Sequence, residues 1–325
     1  NVRTGILDVA GISTFRNTMN VGAAVTISES GIEASGIGIT VANINGTQIG
    51  GRRNLIINGS MQVAQRATTY TGADNYNTVD RFKIIHTGLN EDVTTAQADV
   101  ASGTTPYTLG FRKSLKITNG NQSAGADAGD FINIQTKLEA QDIANSGWNY
   151  TSSSSFITLS FWVKASVAQN YYGFIKTSDG SAQTIALETG ALSADTWTKV
   201  TKVIQGDSNL SFDNDNNEGI QINFGPFWGT SRSDNSVSLT AWRTYGSGYR
   251  TKDATTTWYT TNDATFEITG VQLEVGSQAT SFEHRSFGEE LALCQRYFEI
   301  TEGGFQGPVY STDSDIKVSF PSEYK

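Results

Sequence analysis

Histidine, cysteine and proline are nearly missing from this chain of 325 residues. Its two histidines, His86 and His284, stand in neither metal-ligand spacing nor a triad context, which excludes a histidine-built metal centre or relay. His284, between Glu283 and Arg285, reads as a polar strand end. The single cysteine, Cys294, excludes an intrachain disulfide framework and reads as a buried small hydrophobe. Basic residues number 23 against 32 acidic ones, a net charge of −9, which leaves no basic face for nucleic acid. No apolar run approaches membrane-spanning length and no signal-peptide pattern opens the chain, so membrane insertion is not expected. Nucleophile elbow, P-loop and dinucleotide fingerprint are also missing.

What the chain does have is glycine, 33 residues of it, among abundant Thr, Ser and Asn. That is the usage of many short strands joined by turns. Residues 1–51 carry apolar pieces punctuated by Gly11, Gly22, Gly31, Gly36, Gly38 and Gly46, each too short to bury a core alone. A flexible linker has no reason to keep such regular Val and Ile, so the reading is an intertwined β-stalk whose strands find partners on other chains. The chain opens on Asn1, and a processed or partial chain with an attachment region upstream is the expectation. Gly50, Gly51, Arg52 and Arg53 make a hinge, and a larger domain is expected over residues 52–285.

Alternation there predicts strands at residues 79–86, 109–118, 131–138, 157–164, 172–176, 184–187, 196–204, 219–227 and 256–260, with a short helix over 138–145. The clearest has Ile157, Leu159, Phe161 and Val163 inward and Thr158, Ser160, Trp162 and Lys164 outward. Trp162, a large ring on a polar face, needs a helix or second chain to cover it. About ten antiparallel strands with one polar face each predict an antiparallel jelly-roll-like β-sandwich in preference to a closed barrel.

The chain is organised around residues 265–298. Phe266 and Ile268 point inward, the inward parity then changes to Val271, Leu273 and Val275, and a bulge at Gly270 explains the slip. Ser286 and Glu289 form a capping box for a short helix over 286–298, with Leu291, Cys294 and Phe298 on its stripe. Residues 299–325 read as the start of a small C-terminal β module, with Pro308 and Pro321 at strand ends.

Three segments, NLIINGSMQVAQR (54–66), ITLSFWVKAS (157–166) and GVQLEVGSQATSFEHRSFGEELALCQRYF (270–298), resemble the tail-fibre and receptor-binding proteins of tailed bacteriophages, notably those of cyanobacteria and other marine bacteria. The resemblance implies an all-β virion protein, a trimer built on the stalk, with other virion proteins as neighbours. It names no ligand.

The densest aromatic supply lies over residues 227–259, where Trp228, Trp242, Tyr245, Tyr249 and Trp258 are interspersed with Arg250 and other polar residues. Exposed rings are platforms for the apolar face of a sugar, and a long loop on a rigid sandwich is where binding resides, so these six are the candidate carbohydrate-binding residues. The alternative is that half or more of the rings pack under their own loops or against a neighbouring subunit. Asp213, Asp215 and Asn217 alternate as calcium ligands do, although Glu218 and Phe224 depart from the loop pattern; a solvated turn is the alternative.

Two functions therefore stand: a fibre that recognises a glycan on the host surface, or a structural fibre or decoration protein that binds other virion proteins. Two well-placed carboxylates would suffice for a glycan depolymerase, but the long β-helix repeat usual for tailspikes of that kind is missing, and no enzyme is expected.

Overall fold

Alternating apolar and polar residues dictate strands, and the computed structural model shows them stacked as two sheets. It describes residues 53–253 and 257–300, with the backbone of short strands between Met19 and Gln48: β1 (Met19–Val21), β2 (Val25–Ser28), β3 (Gly31–Ala34), β4 (Asn43–Ile44) and β5 (Thr47–Gln48). The chain divides into two units, Asn1–Ile44 and Asn45–Lys325. In the first, β1, β2 and β3 pair antiparallel within one chain. The rest of the expected stalk and nearly all of the expected C-terminal module, residues 301–325, lie outside the described residues.

The second unit is built from β6 (Thr69–Thr71), β7 (Phe82–Thr87), β8 (Thr94–Asp99), β9 (Lys113–Thr118), β10 (Phe131–Glu139), β11 (Phe156–Ala165), β12 (Asn170–Thr177), β13 (Gln183–Ala191), β14 (Thr198–Gln205), β15 (Glu218–Trp228), β16 (Arg243–Thr244) and β17 (Thr265–Val275). The first sheet has the order β16-β13-β12-β15-β10-β7 and the second β14-β11-β17-β9-β8-β6, all pairs antiparallel. The expected all-β jelly-roll-like sandwich is the observed architecture. Ile132, Ile134, Ile222 and Phe224 from one sheet meet Leu159, Phe161, Val163 and Leu273 from the other, and Phe161 meets Phe224 edge to face at 4.9 Å.

The parity change in β17 is a bulge. Ser160 pairs with Gln272 but Trp162 with Thr269, so Gly270 and Val271 stand opposite one residue, and Gly270 takes φ +61°, which a side chain resists. Downstream, residues 276–285 fold back over the outer face of the second sheet. Thr158 Oγ1 donates to Gly276 O at 2.7 Å, Glu283 N to Gln272 Oε1 at 2.8 Å, and Thr280 N to Glu274 Oε1 at 2.8 Å. The expected polar outer face is thus buried at Thr158, Ser160, Gln272 and Glu274, and Trp162 is half-buried on it.

Two expected strands are corrected. Of the strand expected over 256–260, the described residues form a helical turn, α3 (Thr257–Thr260), although Trp258 and Tyr259 are good strand formers. Asn119 Nδ2 gathers the carbonyls of Trp258, Tyr259 and Thr261 at 3.3, 2.7 and 3.1 Å, and this tertiary capping outweighs propensity. Strand β9 begins only at Lys113, because Pro106 starts α1 (Thr105–Thr108) and leaves Leu109 exposed at its end. Strand β8, with few large apolar residues, was not expected. The short helix after β10 is α2 (Ala140–Ala144).

The expected capping box is present on α4 (Phe287–Gln295). Its buried face differs from the expected stripe: Glu290 and Cys294 are buried, Leu291 is half-buried, and Phe298 lies past the helix, 3.4 Å under the Arg66 guanidinium. Glu290 Oε1 accepts from Asn58 N at 2.5 Å and faces Arg285 Nη1 at 3.4 Å, while Arg285 also donates to the carbonyls of Ile56 and Asn54. Burial pushes the Cys294 thiol well above its ordinary range. The three segments therefore adjoin: residues 55–59 run along β17, β11 pairs with β17, and α4 is tied to Asn58 through Glu290.

Candidate functional site

The outer face of the first sheet is set by register. On β10, Ile132, Ile134 and Leu138 enter the core, so Phe131, Asn133, Gln135 and Lys137 face outward. On β15, Gln221 and Asn223 face outward between Ile220, Ile222 and Phe224. Gln135 stands opposite Asn223 and Lys137 opposite Gln221; on the far side of β15, Phe174 stands opposite Asn223 and Lys176 opposite Gln221. The edge strand β7 adds Lys83 opposite Gln135.

The four amides form one hydrogen-bonded row. Asn133 Nδ2 donates to Asn223 Oδ1 at 2.8 Å, and Gln135 Nε2 donates to Asn223 Oδ1 at 3.1 Å and to Gln221 Oε1 at 3.2 Å. Asn133 is only 3% exposed, yet its Oδ1 has no hydrogen-bond partner among the described residues. A buried acceptor left unpaired is costly in a fold that gains nothing from it. Amides are poor strand formers, so two facing strands carrying them at alternate positions is a legible signal that the sequence reading passed over.

At one end of the row lies an aromatic floor. Between Ile132 and Ile134 the register of β15 slips by a residue at Gly225 and Pro226, and the Trp228 indole lies across Gly225, where a side chain would collide with it. Trp228 Nε1 donates to Tyr172 O at 3.0 Å, and the ring stacks on Phe131 at 5.5 Å and meets Phe174 at 5.4 Å. Loop residues 229–252 come over this floor, tied down by Ser231 N to Ala128 O (2.8 Å), Tyr245 N to Ala182 O (2.8 Å) and Arg250 N to Arg232 O (3.0 Å). Arg250 Nε donates to Tyr245 Oη at 3.0 Å, with its guanidinium 5.6 Å from the Phe131 ring and 5.8 Å from that of Phe174.

At the other end the row opens into a cleft of about 440 Å³ lined by Lys137, Glu139, Glu218, Arg81, Arg296 and Tyr297 among others. Lys137 Nζ pairs with Glu218 Oε2 at 2.5 Å and Lys176 Nζ lies 3.7 Å from Oε1. Burial raises the Glu218 carboxyl, but hydrogen bonds from Lys137 and Ser178 and the two lysine charges hold it below the usual range. Arg296 Nη2 donates to Glu139 at 2.7 and 3.0 Å and Tyr297 Oη at 2.5 Å; these outweigh burial and hold the Glu139 carboxyl low. Burial pushes the Tyr297 phenol up to about 12. From Phe131 to Lys137 the strip is about 20 Å long.

The six candidates from the sequence divide. Trp228 is 1% exposed and Trp258 0%, which corrects both as platforms: a ring without accessible surface cannot stack on a ligand. Trp258 is in the core with Nε1 on Thr265 O at 2.9 Å, and Trp242, 9% exposed, joins the core with Nε1 on Gln205 O at 2.8 Å. Trp228 nevertheless supports the candidate site, packed against Phe131 and Phe174, the rings that Arg250 faces. Tyr245 is half-buried, and Tyr249, 41% exposed, lies under Arg243 with the guanidinium 4.2 Å from its centroid. The structure thus brings Trp228, Tyr245 and Arg250 together at one end of the amide row and sends Trp242 and Trp258 into the core.

The loop with Asp213, Asp215 and Asn217 is exposed or half-buried. Asp215 turns back on its own loop, accepting from Asn217 N at 3.0 Å and Nδ2 at 2.5 Å, so two of the three expected calcium ligands are bonded to each other. Burial and the charges of Asp213, Asp215 and Glu218 push the neighbouring Asp179 carboxyl up, although Asp213 N donates to it. Among the described residues no three His, Cys, Asp or Glu side chains are placed to hold a metal ion.

No protein-family description and no curated protein matches the chain. Among solved structures it is similar to the enzymatically active domain of tailspike protein 4 of bacteriophage CBA120, with 13% identity over 68% of this chain and a TM-score of 0.35. The matched part spans 21% of that tailspike chain. It is also similar to a putative sugar binding protein from Bacteroides thetaiotaomicron (13% identity, 68% of this chain, 99% of that one, TM-score 0.34). A third similarity is to the N-terminal cellulose-binding domain of Cellulomonas fimi β-1,4-glucanase C (10% identity, 67% of this chain, 99% of that one, TM-score 0.30).

Proposed function

We propose that the outer face of the first sheet binds a glycan, and that the chain is a tail-fibre protein of a tailed phage that recognises this glycan on the host surface. The observation that carries the proposal is the amide row of Asn133, Gln135, Gln221 and Asn223, with its unpaired buried acceptor, between an aromatic floor and an open cleft. Gln221 is half-buried and offers a donor and an acceptor to sugar hydroxyls, Asn133, Gln135 and Asn223, at 3, 7 and 0% exposure, orient it from below, and the half-buried Tyr245 and Tyr172 offer ring faces to the pyranose. Loop residues 229–252, tied at both ends, fix this geometry before a ligand arrives, which lowers the entropic cost of binding.

In this reading the chain is a non-catalytic component of the virion exterior, trimeric through residues 1–51, and attached to other virion proteins. The test is adsorption of the fluorescently labelled full chain to candidate host cells, with competition against whole phage and sugar release followed in the same tube. Saturable binding that blocks phage adsorption, releases no sugar and is lost in Gln135→Ala supports the proposal. No binding by folded protein overturns it in favour of a structural fibre or decoration protein, and released sugar in favour of a depolymerase.

A further inference from the structure

The chain as a whole is acidic, at −9, yet the amide row lies in a field of cations. Lys83 flanks Gln135 on one side, and Lys137 and Lys176 flank Gln221 on both. Arg243 stands one strand further, opposite Thr184, which itself pairs with Lys176. Arg250 closes the aromatic end. The carboxylates near them are Glu218, which engages both Lys137 and Lys176, Glu188, which accepts from Asn170 at 3.1 Å, and the loop acids Asp234 and Asp253. None of the salt bridges described for this chain engages Lys83 or Arg250, whereas hydrogen bonds from Ser236, and after them the charge of Arg243, lower the Asp234 carboxyl.

Arg250 and Arg243 are instead held against rings: Arg250 by Phe131, Phe174 and the Tyr245 hydroxyl, Arg243 by Tyr249. A guanidinium so placed keeps its planar fork pre-oriented. Five cations against four carboxylates leave this face with a small positive excess on a molecule of net charge −9, and a local excess of that sign draws counter-charged ligands.

We propose that the ligand of this face is an anionic glycan, a chain bearing uronate carboxylates or sulfate esters, with Lys83, Arg243 and Arg250 taking its negative groups and the amide row its hydroxyls. This rests on the glycan reading of the same face. Guanidinium binds carboxylate and sulfate alike through paired N–H donors, so the two sources are separated by experiment.

Binding of the full chain is measured by calorimetry against oligosaccharides of alginate and polygalacturonate, against dextran sulfate, and against neutral dextran and mannan. The expected result is binding at least about tenfold tighter for one charged class than for the neutral polymers at low salt, weakening severalfold as ionic strength rises from about 0.05 M to about 0.5 M. Arg250→Gln combined with Lys83→Gln should remove that preference. Gln135→Ala, which keeps every charge, should weaken charged and neutral sugars together. Equal binding of charged and neutral glycans, or charge variants that change nothing while Gln135→Ala weakens binding, overturns the anionic preference and leaves the face as a glycan site. Charged polymers lost in the charge variants but untouched by Gln135→Ala show diffuse ion attraction, which overturns the inference too. If no polymer binds a chain whose melting transition is intact, both readings fall.

Discussion

Asn54 and Asn133 are both buried amides on this sandwich, and they are treated differently. Around Asn54 both ends of the side chain are used: Nδ2 donates to Val271 O at 3.2 Å, and Oδ1 accepts from Ile56 N at 3.0 Å and Leu273 N at 3.1 Å. Its own backbone N–H goes to Glu283 Oε2 at 2.6 Å. Asn133 spends its donors on Asn223 and leaves its acceptor unpaired. The Asn54 region, with Asn58, Arg285 and Glu290, is a clamp that joins the start of the domain to its last strand and helix. The Asn133 region is a face with hydrogen-bonding capacity left over. The difference is one of kind: the clamp leaves a guanidinium N–H, Arg285 Nε, unpaired among the described residues, and the Asn133 face leaves a carboxamide oxygen.

The comparison is broken most strongly at Glu290. Glu290→Ala strands the Asn58 N–H and leaves the buried Arg285 with Glu283 alone as its carboxylate at 3.4 Å, and should cost about 2–3 kcal/mol in urea unfolding, with glycan affinity of the remaining folded protein unchanged. A loss of affinity without a loss of stability would show that the clamp is part of the site. Next is Gln135→Ala, the opposite experiment: affinity should fall about tenfold, or about 1.4 kcal/mol, with a smaller change in stability. If unfolding shifts more than binding does, the amide row belongs to the scaffold.

Removal of the helix cap by Ser286→Ala should lower stability by about 1 kcal/mol and leave affinity alone, as read by thermal melts with and without sugar. The smallest effect is pH-dependent and lies at the cleft. Glu139 is held below the usual carboxylate range by Arg296 and Tyr297, so its contribution is complete above the unfolded value near 4.5 and is lost as pH falls through the lower folded value. Glu139→Gln should therefore cost about 0.5–1 kcal/mol at neutral pH, because Arg296 is half-exposed and solvent screens the pair. The gap between variant and parent should close in acid. A gap that persists below pH 3 would mean that packing, not charge, is what Glu139 supplies.

Much of the clamp is legible from residues in order. The capping box at Ser286 and Glu289, the parity slip at Gly270 and the apolar alternation of β11 are local patterns, and each is where the spacing places it. The candidate site is less legible. Arg250 is hydrogen-bonded to Tyr245 and lies near Phe131, on which Trp228 stacks, but neither the burial of Trp228 and Trp258 nor the amide row follows from the aromatic density of residues 227–259. A ring is a platform or a core residue according to what lies above it. For Trp228 that is decided by the bulge at Gly225 and by a carbonyl on Tyr172, a partner distant in sequence. The helical turn at Thr257–Thr260 shows the same effect, since Asn119 captures carbonyls that propensity alone would assign to a strand.

By itself the sequence determined the sandwich, the last strand with its bulge and the capped helix, because periodicity and capping act over a few neighbouring residues. The tertiary structure alone decided which polar residues are paired and which remain open. Asn133 and Asn223 become neighbours only when β10 and β15 settle into register, and Arg250 faces Phe131 only when a loop from the far end of β15 folds back across both. Long-range register, which no short window of sequence contains, is what turns four scattered amides into one surface.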